Sequence, residues 1–168
     1  MREFSFPAIG AVSGGDIIIG DDDKPCGESL YVRYEMWLRK LESSRNTLVG
    51  LSGSFFAARR ALTSGWDHHV PGDFNAAIRC AEQGYRAVSS DEVVGYYRSI
   101  ADDALEYRRK LRTVVHGIAA VAVRREILNP LRYGLFAFQV WSHKLMRWLV
   151  PWLALPLLAL NAVLACED

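Results

Sequence analysis

The sequence predicts an α/β chain that runs into a lipid-soluble C-terminal helix. Two observations carry the prediction. β-Branched, glycine-punctuated runs alternate with amphipathic helical patterns up to Leu128. Beyond them, no residue from Trp148 to Ala165 is charged.

The first element is Ile9–Ile19, IGAVSGGDIII, which reads as a strand with a bulge or break at Gly14-Gly15. Asp21-Asp22-Asp23-Lys24-Pro25 follows as a turn. Three adjacent carboxylates invite a metal site, but consecutive turn side chains diverge and a hard cation needs convergent oxygens, so a solvated turn is the expectation. Glu28–Ser44 has helical spacing, with Leu30, Tyr34, Trp37, Leu38 and Leu41 on one stripe and Arg33, Arg39, Lys40 and Glu42 off it. The stripe is expected to pack inward. Gly50–Arg60, GLSGSFFAARR, joins small residues to a short β-like run and suits close backbone approach. His68 and His69 fall in a loop from Trp66 to Gly72 with no third ligand in view, so zinc is not expected.

The organising stretch is Val70–Val88, VPGDFNAAIRCAEQGYRAV. A Pro-Gly turn delivers Asp73 to the mouth of a helix whose Phe74, Ala77, Ile78 and Ala81 share one face. Gly84 stands where a left-handed residue closes such a helix. Asp73 is either an N-cap or a carboxylate held for chemistry, and from this stretch alone the cap is the safer reading. Tyr85–Ser89 and Val93–Tyr97 read as two short strands. Asp102–Leu128 then forms a long helix with acidic residues in its first turns and Leu111, Val115, Ile118 and Ala122 as its inward stripe. Arg109, Arg112 and His116 fall together on another face, which is solvated unless it borders a cleft.

Asn129-Pro130 ends that helix. Leu131–Arg147 mixes aromatic and aliphatic residues with Arg132, His143 and Lys144, as expected of a segment lying along a lipid interface. The uncharged run of 18 residues after it would extend about 27 Å as a helix, near the ~30 Å hydrocarbon thickness. Pro151 and Pro156 are better tolerated in a membrane helix than in a soluble one. Basic residues before the run and Glu167-Asp168 after it put the bulk of the chain on the cytoplasmic side of a plasma membrane.

The net charge of +1 gives no general attraction to nucleic acid, and the basic cluster adjoins the apolar tail, so no nucleic-acid partner is expected. Cys26, Cys80 and Cys166 are odd in number, with no CxxC, and read as free thiols.

VSGGDIIIG, YVRYEMWLRKLES, GLSGSFFAARR, GDFNAAIRCAEQGYRAV, EYRRKLRTVVHG and NPLRYGLFAFQVWSHKLMRWLVPWLAL occur in this order. Together they resemble the second half of a membrane-bound family 2 glycosyltransferase, the group of cellulose, chitin and hyaluronan synthases. The resemblance implies a partial GT-A-type domain over residues 1–128, an amphipathic interfacial segment over 129–147 and a transmembrane helix over 148–165. It implies sugar transfer from a nucleotide-diphosphate sugar to a glycan or lipid acceptor hydroxyl with inversion, in polysaccharide or glycolipid synthesis.

Asp73 resembles the aspartate of the family's Thr-Glu-Asp-type motif, the general base, with Gly72 in place of the preceding acid. Arg109 and Arg112 resemble the first and fourth positions of Gln-x-x-Arg-Trp, with Thr113 in place of the tryptophan. The family's Mg²⁺ or Mn²⁺ depends on an Asp-x-Asp motif in a nucleotide-binding first half that has no counterpart here. Asp21–Asp23 come too late to replace that motif, so no metal ligand is assigned. The resemblance thus implies a fragment or truncated product, whose partner is the missing N-terminal half or a full-length synthase. The alternative is a non-catalytic, membrane-anchored interaction domain.

Overall fold

The computed structural model describes residues 2–19, 30–98 and 102–167. The expected turn at Asp21–Asp23, and Cys26, lie outside the described residues. The chain is α/β: a small mixed sheet, a larger helical part and one long apolar helix at the C-terminus. After a short 3₁₀ turn at Arg2–Ser5, the elements are β1 (Ile9–Ile19), α1 (Leu30–Arg45), β2 (Phe56–Ala58), α2 (Arg60–Thr63), α3 (Gly72–Glu82), β3 (Arg86–Arg98) and α4 (Asp103–Val123). A 3₁₀ turn at Arg125–Leu128 leads to α5 (Pro130–Tyr133), α6 (Leu135–Val140), a π turn (Trp141–Leu145) and α7 (Met146–Glu167).

The sheet order is β2-β1-β3, with β1 antiparallel to β2 and parallel to β3. β3 is one strand where the sequence suggested two. Its pairing with β1 jumps from Ser13↔Ser89 to Gly15↔Val94, so residues 90–93 bulge opposite Gly14 alone. A Cβ at Gly14 would stand 3.0 Å from the Val93 carbonyl oxygen, which is why glycine occupies the crossing. The irregularity expected at Gly14-Gly15 is therefore real, but its extra residues belong to the partner strand.

α3 is the wall between two apolar clusters. Ala76, Ala77 and Cys80 pack with Ala11, Ala87, Leu48 and Leu62 on the sheet side. Phe74 and Ile78 pack with Ile127, Phe136 and Val140 on the helical side. Burial pushes the Cys80 thiol up to about 12, so it is inert at neutral pH. The helix closes as its sequence indicates: Gly84 has φ 73° and the Tyr85 N–H donates to the Cys80 carbonyl at 2.8 Å. Arg124, after α4, pairs with Glu82 at the end of α3 and with Glu126 at 2.7 Å.

Two inward stripes are corrected. On α1, Leu30, Tyr34, Trp37 and Leu41 are exposed, Leu30 by 81%, whereas Glu42 is 5% exposed. The polar face turns in because its carboxylates meet cations from the C-terminal part of the chain. On α4, Leu111, Val115 and Ile118 are 47–53% exposed, and Ala122 is exposed too. α4 is buried only near its end, at Ala120 and Val121, and Gly117 lies against the Trp148 ring. Its N-terminus is capped by Asp102, which accepts from the Ala104 and Leu105 amides.

The stretch from α5 to the π turn buries Phe136, Ala137, Val140 and His143 and exposes Leu131, Leu135, Phe138 and Trp141. One side of the expected interfacial segment therefore seals the core. The helical run Leu135–Ala165 is long and apolar enough to cross a membrane, with mean hydropathy 1.9 over a window of which none is buried.

Gly10 sits where β1 meets α3 and the Tyr85 turn. A Cβ there would lie 2.7 Å from Tyr85 Cβ and 2.9 Å from Cys80 Sγ, both rooted close to the backbone. Gly10→Ala is expected to destabilise the fold by about 1–3 kcal/mol through overpacking. Thermal unfolding of the detergent-solubilised chain measures it. Gly53→Ala is the control, because nothing lies within 4 Å of its Cβ position.

Candidate functional site

A cleft of about 440 Å³ opens between the start of α3, the inner side of α1, one side of α4 and the root of α7. Asp73, Arg109 and Arg112 all line it. The structure thus brings together the three residues singled out from the sequence.

Asp73 is not the N-cap of α3. Pro71 holds that position and no side chain caps the helix, so Asp73 stands in the first turn with its carboxylate at the cleft. The loop ahead of it is fixed by Asn75, which is 2% exposed. Its amide donates to the Asp67 and Val70 carbonyls, each at 2.8 Å, and its carbonyl accepts from the Asp67 N–H at 3.3 Å. A buried amide satisfied on both sides leaves that loop one geometry. His68 and His69 in the same loop are exposed.

On α4, Arg109 and Arg112 are one turn apart, with His116 following on the same cleft-facing side. Arg109 is held by Glu106 through two hydrogen bonds of 2.8 Å. Lys110, four residues after Glu106, reaches the same carboxylate at 3.5 Å. The hydrogen bond from Arg109 holds the Glu106 carboxyl below the usual range. Arg112 makes no ion pair or hydrogen bond with a described residue.

Sequence reasoning missed the opposite wall. His143, in the π turn, sits between two carboxylates, its Nδ1 2.6 Å from Glu42 Oε1 and its Nε2 3.2 Å from Glu35 Oε1. Ionised carboxylates only accept, so the ring donates from both nitrogens. Glu42 also accepts from the Val49 N–H at 3.2 Å, and Glu35 accepts from Arg147 Nη2 at 2.8 Å. Arg39 approaches Glu35 at 4.0 Å and Asp16 at 3.6 Å, and Asp16 in turn accepts from the Ser52 and Ser54 hydroxyls. Arg39 Nη1 is buried without a hydrogen-bond partner among the described residues. The available signal was the i, i+4, i+7 spacing of Glu35, Arg39 and Glu42, a charged stripe that could have been weighed as a buried network.

Lys144, next to His143, lines the cleft with its Nζ 5.6 Å from the centre of the Phe74 ring. A Cβ on Gly50 would come within 3.2 Å of that nitrogen, so glycine leaves the room it occupies. The lining carries four guanidinium groups and Lys144 against the two carboxylates Glu35 and Asp73. The guanidinium groups give the hollow a positive field. Among the described residues, no cluster of His, Cys, Asp or Glu could hold a metal ion.

No protein-family model matches this chain, and no curated protein matches it.

Burial raises the Glu35 carboxyl, but the hydrogen bond from His143 and the charges of His143, Arg147 and Arg39 outweigh it and bring the pKa from 4.5 to about 2. A carboxyl depressed in the fold stabilises fully above its unfolded pKa and loses that contribution as the pH falls through the folded one. The stability difference between wild type and Glu35→Gln is therefore expected to hold above pH 4.5 and to vanish between there and about 2. Thermal melts of both proteins across that window measure it.

Proposed function

We propose that the cleft is the acceptor side of a glycosyltransferase of the family 2 type. In this reading a sugar passes from a nucleotide-diphosphate donor to a glycan or lipid hydroxyl with inversion, in polysaccharide or glycolipid synthesis. The supporting observation is that Asp73, Arg109 and Arg112, distant in sequence, line one hollow at the root of the apolar helix. The mixed sheet with parallel β1 and β3 would be part of a GT-A-type domain. Trp148–Ala165 would cross the plasma membrane, with the sheet and cleft in the cytoplasm.

Each step follows from side-chain chemistry. A hydroxyl is a poor nucleophile at neutral pH, so Asp73 takes its proton as the oxygen bonds to the anomeric carbon. The bond from that carbon to the donor phosphate breaks, and its electron pair leaves with the diphosphate. Attack and departure on opposite faces invert the centre. Charge grows on the departing phosphate, where guanidinium groups already in place stabilise it without reorganising. Arg112 serves this most directly, since Arg109 shares its charge with Glu106. The family's Mg²⁺ or Mn²⁺ finds no ligand set among the described residues, and no step here passes through it.

The exposed apolar stripes of α1 and α4 support a second reading, a membrane-anchored partner of a synthase or of a missing donor half. Binding of a uridine diphosphate sugar with Mn²⁺ separates the two, since the non-catalytic chain has no use for it.

Asp73→Asn is expected to lower kcat roughly 10²–10⁴-fold with KM little changed, as for loss of a general base. Nucleoside-diphosphate release from uridine diphosphate sugars by the membrane-reconstituted chain measures it. Transfer that survives the substitution refutes the base assignment.

A further inference from the structure

We propose that Lys144 is a phosphate ligand of the cleft, and that His143, clasped between Glu35 and Glu42, is the positioning residue that aims it. The identity of the anion, the diphosphate of a nucleotide-sugar donor or product, rests on the sugar-transfer reading. The presence of an anion site does not.

Three of the cleft's cations are already paired. Arg147 donates to Glu35 and Arg109 to Glu106, while Arg39 lies between Asp16 and Glu35. Lys144 and Arg112 line the same cleft and make no ion pair with a described residue. Burial holds the Lys144 amine below the usual lysine range, against the fields of Asp73 and Glu35, so an anion beside it favours its charged form. Without a bonded counterion, such an amine becomes a charge-assisted donor once an anionic acceptor stands beside it. Arg112 enters from α4 and Lys144 from the root of α7, so an anion between them meets positive charge from two walls. A diphosphate, with two charged phosphate groups, suits two separated cations better than a single carboxylate does.

The local backbone explains how Lys144 reaches this position. Trp141–Leu145 is a π turn, a widened turn common where function re-aims side chains. It lets two consecutive residues face inward, His143 to α1 and Lys144 to the cleft. The two carboxylates fix the imidazole from both sides, so the turn has little freedom to rotate the lysine out.

The test is calorimetric titration of the detergent-solubilised full chain with inorganic pyrophosphate. Wild type is expected to bind, Lys144→Gln to bind roughly ten- to hundredfold more weakly, as for loss of a hydrogen bond to a charged group, and Lys144→Arg to recover most of the loss. His143→Gln is expected to weaken binding in the wild-type background but to add nothing to Lys144→Gln, because it acts through the lysine. Unchanged affinity in a folded Lys144→Gln protein overturns the proposal, as does a wild type that binds no pyrophosphate. Additive losses in the double variant overturn the positioning role of His143 alone. Pyrophosphate binding that depends on Lys144, without any sugar transfer, sinks the transferase reading and leaves the anion site standing.

Discussion

Two carboxylates with a doubly donating imidazole clasped between them set the arrangement of this protein. Glu35 and Glu42 lie two turns apart on α1, and His143 joins both to the root of α7. Burying carboxylates costs several kcal/mol each unless they are paired and hydrogen-bonded. Here Arg147, Arg39 and the Val49 amide complete the pairing. Once α1 is committed to this clasp, its hydrophobic stripe has to face outward. The ordinary rule for an amphipathic helix is reversed because electrostatic complementarity, not apolar area, chose the buried face.

That reversal also marks the limit of what periodicity can say. The strand Ile9–Ile19, the helix after the Pro-Gly turn, its Gly84 stop and the long helix capped by Asp102 were all legible, because each is fixed by local chemistry. Asp73, Arg109 and Arg112 were legible as a set only through a resemblance between motifs. Spacing alone left Asp73 a cap and the two arginines a solvated face. What a stripe packs against is a tertiary fact. Leu111, Val115 and Ile118 satisfy helical spacing as well as Phe74 and Ile78 do, yet only the latter pair meets a core. His143 and Lys144 were hidden for a related reason. The partners of His143 are about a hundred residues away, and a π turn breaks the pattern that would have shown both residues facing inward.

The outward stripes have a physical consequence. A helix face of leucine, valine and aromatic side chains left in water forgoes roughly 25 cal/mol for each Å² that could have been buried. α1 and α4 both leave such faces open while their polar sides line one cleft. The cleft therefore has walls whose backs carry exposed apolar side chains, so protein or lipid could cover those backs without touching the charged interior.

Placing cations at the root of an apolar helix has its own logic. Trp148 packs over Gly117 and closes one end of the cleft, and beyond it α7 carries no charge until Glu167. Low-polarity surroundings on that side weaken screening, so each ammonium or guanidinium in the hollow exerts more force on an anion than it would on an open surface. The same surroundings penalise unpaired charge. Arg39, Arg109 and Arg147 answer that penalty with carboxylates of the fold. Lys144 has no such carboxylate among the described residues and burial holds its amine below the usual lysine range, so a bound anion would favour its charged form.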